Sequence, residues 1–267
     1  MLTSFLSVFV RTQPIVNKAH ARLIRMKGIG GNIVASIFGM LTPFCSCTTV
    51  PIFAGLLGMG VETGTAMSFL IASPSIGVAA MILLLVLFGF KTAVVYTVAS
   101  MLVAIIGGYI LRFLKIKEPL KRSFMSISKE APATTYREAT VSAWHLLRHF
   151  FPIILICALL GTVVENYIPQ SLLMTLTAHN SVWIIPIVVV IGAAIYADII
   201  VLIPIGFALI EKGVNQGIVL AFMLAAAGVS VPSILLLSKV IKTRLLVYFV
   251  VVLIVLYTCL GVVFYYL

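Results

Sequence analysis

Residues 51–72, PIFAGLLGMGVETGTAMSFLIA, return as residues 204–225, PIGFALIEKGVNQGIVLAFMLA, at a spacing of 153 positions from Pro51 to Pro204. At that spacing Gly60-Val61 falls on Gly213-Val214, Gly64 on Gly217, Phe69 on Phe222 and Ala72 on Ala225. A proline and several glycines matched in one register, with the order of apolar segments matched around them, read as an internal duplication. Working outward, the clean apolar span Thr92 to Leu111 falls on the final span, Leu245 to Leu267. The span Val141 to Val164 has no counterpart ahead of Arg11, because only Met1 to Val10 stand there. The expectation is that the first repeat has lost most of its opening helix, or that this sequence starts inside a longer gene product.

The whole chain has 267 residues, 62% hydrophobic and 9% charged, with a mean hydropathy of +1.23. A soluble domain carries about a quarter charged residues, so this composition excludes a soluble enzyme, a disordered chain and a nucleic-acid-binding module. Apolar stretches of roughly 20 residues recur, as a polytopic membrane protein requires. Long runs such as Val182 to Ile195 do not alternate polar with apolar, which argues against an outer-membrane barrel. The fold expected is an all-α polytopic membrane protein built from two inverted-topology repeats with broken helices and hairpins. Its units are a first repeat over 1–112, a basic cytoplasmic loop over 113–140 and a second repeat over 141–267. Breaks are expected at Pro43 and Pro51, at Ser73-Pro74, around Asp198 and Pro204, and near Pro232.

Charge sets the orientation. The net charge is +11, and most of the Lys and Arg lie in Arg11 to Lys27, in Arg112 to Arg137 and at Lys239, Lys242 and Arg244. Placing these three regions in the cytoplasm satisfies the positive-inside rule. It requires an even number of crossings from Lys27 to Arg112, so the pieces around Pro43 and Pro51 form a hairpin, re-entrant or fully spanning. An odd number of crossings per complete repeat then inverts consecutive repeats, a recurrent plan of secondary transporters. The lipid bilayer is the surrounding partner, the inner cell membrane the expected location, and the basic loop an orientation signal that also meets anionic headgroups.

The densest chemistry lies in TPFCSCTTVP, residues 42–51. Non-helical backbone at membrane depth persists only where it is buried in protein or lines a water-filled cavity, and Thr42, Ser46, Thr48 and Thr49 can satisfy its freed groups. Cys45 and Cys47 present soft sulfur ligands, which suit Cu(I), Zn or trivalent arsenic better than phosphates or sugars. Against this stands simple packing of two small residues in a membrane core. At the 153-residue spacing Cys45 falls on Asp198, an acid inside an apolar run, read as a proton-coupling group or as a helix N-cap. Two such breaks of an inverted pair should face each other, with Asp198 within about 10–12 Å, one helix diameter, of the cysteines. The candidate substrate-binding set is Pro43, Cys45, Ser46, Cys47, Thr48 and Pro51, joined by Ser73, Pro74 and Ser75 and by Ser230, Pro232 and Ser233. His145 and His149 sit one turn apart beside Arg148, which places them at a membrane interface rather than on a metal. No cofactor and no metal are expected.

FGMLTPFCSCTTVPI (38–52), GVETGTAMSFLIASPS (60–75) and GVNQGIVLAFMLAAAGVSVPSILLLSKVIKTRLL (213–246) resemble the ArsP-type, or YraQ-like, predicted permease family, over roughly Gly30 to Leu267. The resemblance implies a permease, and its best-understood branch exports trivalent organoarsenicals such as methylarsenite. That role passes to Cys45 and Cys47 as the matched pair. Three readings follow: export of a soft, thiol-reactive small solute; transport of a small sulfur-containing or inorganic anion; or a non-transporting assembly partner or metal chaperone. No Walker A motif is present, so the chain is read as a secondary transporter and not an enzyme.

Overall fold

The computed structural model describes residues 28–42, 46–58, 60–113, 182–194 and 199–266. The basic loop, the spans expected between Val141 and Asn180, Pro43, Cys45 and Asp198 lie outside the described residues. Within them the chain is helical, with no strand. The first set of helices is α1 (Ile29–Leu41), α2 (Ser46–Gly58), α3 (Thr63–Ser75) and α4 (Val78–Phe113). The second begins with a 3-10 turn (Val182–Ile184) and continues as α5 (Ile185–Ala194), α6 (Ile199–Glu211), α7 (Gln216–Gly228), α8 (Val231–Val240) and α9 (Thr243–Tyr266).

The spacing read in the sequence governs these boundaries. Shifted by 153, α2 becomes α6, α3 becomes α7, and the ends of α4 become the start of α8 and the end of α9. Helix α4 has a non-helical residue at Gly89 (φ 80°, ψ 169°), and the matching position, Lys242, separates α8 from α9. The ends of α2 and α6 show why glycine is retained. Gly60 and Gly213 adopt φ of 84° and 90°, and the helix closes around each in the same way. Gly60 N–H bonds Leu57 O and Val61 N–H bonds Leu56 O, both at 3.1 Å; Gly213 N–H bonds Ile210 O at 2.9 Å and Val214 N–H bonds Leu209 O at 3.2 Å. This paired closure needs a left-handed residue, which glycine supplies without strain.

Two expected breaks are corrected. Pro51 and Pro204 are each the sixth residue of a 13-residue helix, α2 and α6; a proline there costs the helix one hydrogen bond and a clash with the carbonyl four residues back, a cost that helices inside a membrane protein tolerate. The break comes earlier. Thr42 ends α1 in an extended conformation, as the residue before a proline must, and its Oγ1 bonds the carbonyls of Phe38 and Gly39 at 3.0 Å. Pro74 lies in the last turn of α3 and Pro232 in the first turn of α8. Their breaks, at 76–77 and 229–230, are nevertheless the same break under the 153-residue shift.

Helices α3 and α7 form the centre. Nearly every residue from Gly64 to Ser75 and from Gly217 to Ala226 is buried, as an all-round apolar helix requires. Around them, α3 meets α1, α2 and α4, and α7 meets α5, α6 and α9. The sets also exchange partners: α8 lies against α2, α6 against α4, α3 against α7, and α4 against α9. Small residues allow the close approaches and recur in register. Gly39 faces Phe69 and Ala72 as Gly192 faces Phe222 and Ala225; Gly64 meets Arg112 as Gly217 meets Tyr265. Val86 and Phe90, 70% and 73% exposed, point outward. Among the described residues, three stretches are long and apolar enough to cross a membrane: α4, α9, and α7 with α8 taken together across their break.

Gly217→Ala should lower stability by about 1–3 kcal/mol, the usual cost of overpacking, because the new Cβ would strike the backbone of Phe264 and Tyr265. Gly55→Ala meets nothing within 4 Å and should gain up to about 1 kcal/mol of helix propensity. Thermal melts of both variants in detergent check the opposite signs.

Candidate functional site

The described candidate residues lie at the start of α2, the end of α3 and the start of α8. Ser46, Cys47 and Thr48 form the first turn of α2, the end of a helix where negative charge is best accommodated. Thr49 follows, fully buried, and its Oγ1 lies 3.1 Å from Ser73 Oγ. That contact joins the TPFCSCTTVP stretch to the Ser73-Pro74-Ser75 break, two segments singled out separately in the sequence. Ser75 Oγ donates to Ile71 O at 3.0 Å. In the second set, Ser230 Oγ and Ser233 Oγ lie 2.7 Å apart, on and just before α8, the helix that lies against α2. Pro43, Cys45 and Asp198 lie outside the described residues, so the expected approach of Asp198 to the cysteines is a matter for proposal. Among the described residues no group of three or more His, Cys, Asp or Glu is placed to hold a metal. A small pocket, mostly apolar, opens nearby between α1, α2 and α3, lined by Phe38, Ile52, Leu56, Thr65 and Phe69 among others.

Polar groups that the sequence did not single out tie the first set together. Asn32 on α1 accepts from Thr65 Oγ1 at 3.3 Å and donates to Ile105 O at 3.5 Å, linking α1, α3 and α4. Ser36 Oγ donates to Asn32 O at 2.8 Å. At one end of the same helices, Arg112 Nε lies 2.6 Å from Glu62 Oε1, and Glu62 Oε2 accepts from Gly28 N–H at 3.2 Å. One carboxylate thus holds the start of α1, the start of α3 and the end of α4. Both ion-pair partners are partly exposed, which limits the pair to about 1 kcal/mol or less. The available signal was the scarcity of acids: seven in 267 residues make a lone Glu beside a helix start worth attention.

The two sets differ in polarity. Of the buried polar residues among those described, Asn32, Ser36, Thr49, Thr65, Ser68, Ser73, Ser75 and Ser100 belong to the first set and Ser230 to the second. Matched positions in the second set are apolar: Ile185 for Asn32, Leu202 for Thr49, Ile218 for Thr65, Ala226 for Ser73. Among the described residues, the set richer in buried hydroxyls is the one whose sequence carries Cys45 and Cys47.

Thr49→Val and Ser73→Ala should each cost about 1 kcal/mol, the net worth of a buried hydrogen bond, and the double variant less than the sum of the two. A double-mutant cycle read by thermal unfolding measures the coupling; additive losses would mean that the two hydroxyls do not act on each other.

Comparison with known proteins bears on the whole chain. The ArsP_1 family, described as predicted permease, matches residues 1–266. The UPF0718 protein MJ0584 of Methanocaldococcus jannaschii is similar, with 24% identity over 279 aligned positions that cover 80% of this chain and 76% of that one. No solved structure matches. Apolar helices long enough to cross a bilayer and a family match over nearly every residue agree: the chain belongs to the ArsP_1 predicted permease family and is a membrane transporter.

Proposed function

We propose that the protein is a secondary transporter of the inner cell membrane that exports a soft, thiol-reactive small solute, with Cys45 and Cys47 as its ligands. The observation that carries this reading is the placement of Cys47 on the first turn of α2, two residues from Thr49 and its contact with Ser73. Thiolates are the form in which cysteine binds soft partners, and trivalent organoarsenicals belong to that class of solute. Pro43, Ser46, Thr48, Pro51, Pro74 and Ser75 complete the first-set side of the path, and Ser230, Pro232 and Ser233 the second-set side. Asp198, immediately ahead of α6 and matched to Cys45 by the 153-residue shift, is the proposed acceptor for protons released when the thiols take the solute.

Alternating access in this reading uses two inverted repeats, the first over 1–112 and the second over 141–267, joined by a basic cytoplasmic loop. Two contacts support the inversion. The start of α3 is tied to Arg112 through Glu62, whereas Gln216, which opens α7, bonds Thr92 Oγ1 at 2.8 Å. Thr92 and Arg112 stand 20 residues apart on α4, about 30 Å of helix, so matching helices begin at opposite ends of the part of α4 that follows Gly89. Helices of 13 residues, α1 and α2, are about 20 Å long, short of a hydrocarbon core of about 30 Å, which favours the re-entrant form of their hairpin over the fully spanning one.

Two outcomes are expected. Uptake of a trivalent arsenical into everted vesicles should be lost in Cys45→Ser/Cys47→Ser at wild-type expression, while unchanged uptake, or uptake of sulfur anions instead, would reassign the substrate. In a background without native cysteines, Phe113→Cys and Lys212→Cys should label from opposite faces of the membrane; labelling from one face would sink the inverted arrangement.

A further inference from the structure

The α1–α2 pair and its counterpart α5–α6 share a backbone plan but are fastened differently. At the start of α1, Gly28 N–H donates to Glu62 Oε2 at 3.2 Å, and Glu62 Oε1 lies 2.6 Å from Arg112 Nε. The 153-residue shift puts Asn215 on Glu62 and Tyr265 on Arg112, two side chains that cannot make an ion pair. Asn215 caps its own helix, accepting from Gly217 N–H at 2.8 Å. One turn into α1, Asn32 bonds Thr65 and Ile105 at 3.3 and 3.5 Å, the long end of the hydrogen-bond range. Ile185 holds the matching place in α5 by packing, fully buried and against Gly261.

The first set also keeps free space under this pair. A cavity of about 20 Å³ lies between α1, α2 and α3, lined by Ala35, Ile52, Leu56, Thr65 and Phe69 among others. Three of these have identical counterparts in the second set, Ile205, Leu209 and Phe222; Ala35 and Thr65 are replaced by the larger Val188 and Ile218, both buried. The void therefore traces to two small side chains. At its two ends the α1–α2 pair adjoins Gly28 and Gly60, with φ of 91° and 84°, whereas the position matching Gly28 is Ser181.

These differences act in one direction. A partly exposed carboxylate and guanidinium exchange each other for water at little cost when they part. A buried isoleucine drawn out of its packing loses contacts that nothing replaces. Close-packed helices shift against one another only where volume is free, and terminal residues that absorb a change in φ and ψ serve as hinges.

We infer that α1 and α2 swing as one body against α3, latched by Glu62 and hinged at Gly28 and Gly60, while α5 and α6 stay fixed. That the swing opens a path for solute rests on the transporter reading proposed above. The swing itself is measured without solute, so its failure leaves the substrate assignment standing, and loss of that assignment leaves the swing.

The test is hydrogen exchange, read by mass spectrometry, on the full chain in detergent. Peptides over 29–41 and 46–58 should exchange faster than those over 185–194 and 199–211. Glu62→Gln removes the ion pair and should speed exchange in the first pair by about three- to fivefold, the worth of a partly exposed ion pair, with the second pair unchanged. Ala35→Val places in α1 the residue that α5 carries at the same position, so it should fold, and by filling the void it should slow the first pair. Equal exchange of the two pairs in the wild type overturns the swing. So does Glu62→Gln speeding both pairs alike, or Ala35→Val leaving the first pair as fast as before.

Discussion

Two helices of 13 residues, α3 and α7, end inside the protein among apolar neighbours, and the remaining architecture follows from that. A helix end leaves four carbonyls without intrahelical partners, and water is not there to take them. The ends are therefore enclosed. Ile76 N–H and Val229 N–H continue the helical pattern one residue past each terminus, to Ala72 O and Ala225 O. The hydroxyls of Thr49, Ser73 and Ser75 lie at the end of α3, and those of Ser230 and Ser233 just past the end of α7. The longer helices α4 and α9 and the short hairpin helices exist around this pair as its wall. Their outward faces are apolar, with Val86, Phe90 and Val263 exposed, because lipid is the solvent they meet.

Much of this arrangement is legible in the sequence, and the reason is that backbone constraints leave residue signatures. Gly60 and Gly213 must be glycine to adopt positive φ, so their spacing reveals the recurrence of whole helices. Pro43 forces Thr42 to be extended, so the first break is visible too. Pro51 and Pro204 mislead, since a proline's cost is local and a membrane helix absorbs it. The meeting of Thr49 with Ser73 has no local signature: each segment stands out alone, but only the folded chain joins positions 24 apart. The same holds for Glu62 and Arg112.

The polarity difference between the sets gives the recurrence its functional direction. A duplicated fold supplies two equivalent frameworks, yet Asn32, Thr49, Thr65 and Ser73 face Ile185, Leu202, Ile218 and Ala226 across the equivalence. The second set therefore contributes packing where the first contributes hydrogen bonds. In the first set, Asn32 holds three helices by side-chain contacts; in the second, Ile185 fills the matching place, fully buried, and abuts Gly261. Equivalent backbones are thus held by different physics, directional on one side and dispersive on the other.

The exchange of partners between the sets has a consequence for biosynthesis. Helix α2 lies against α8, which begins at Val231, and α4 lies against α6, which begins at Ile199. When the ribosome has finished α4, neither of these contacts can yet exist. Of the described helices, the hairpin of α1 and α2 then leans only on α3 and α4, with Asn32, Thr65 and the Glu62 carboxylate as its fastenings. Those polar ties lie in the half that emerges first and must wait longest, while the half that emerges last meets a finished template and closes on it with apolar surface. A nascent chain of this kind is open to trapping between the end of α4 and the arrival of α8, and its yield depends on how long the insertion machinery shelters the first half.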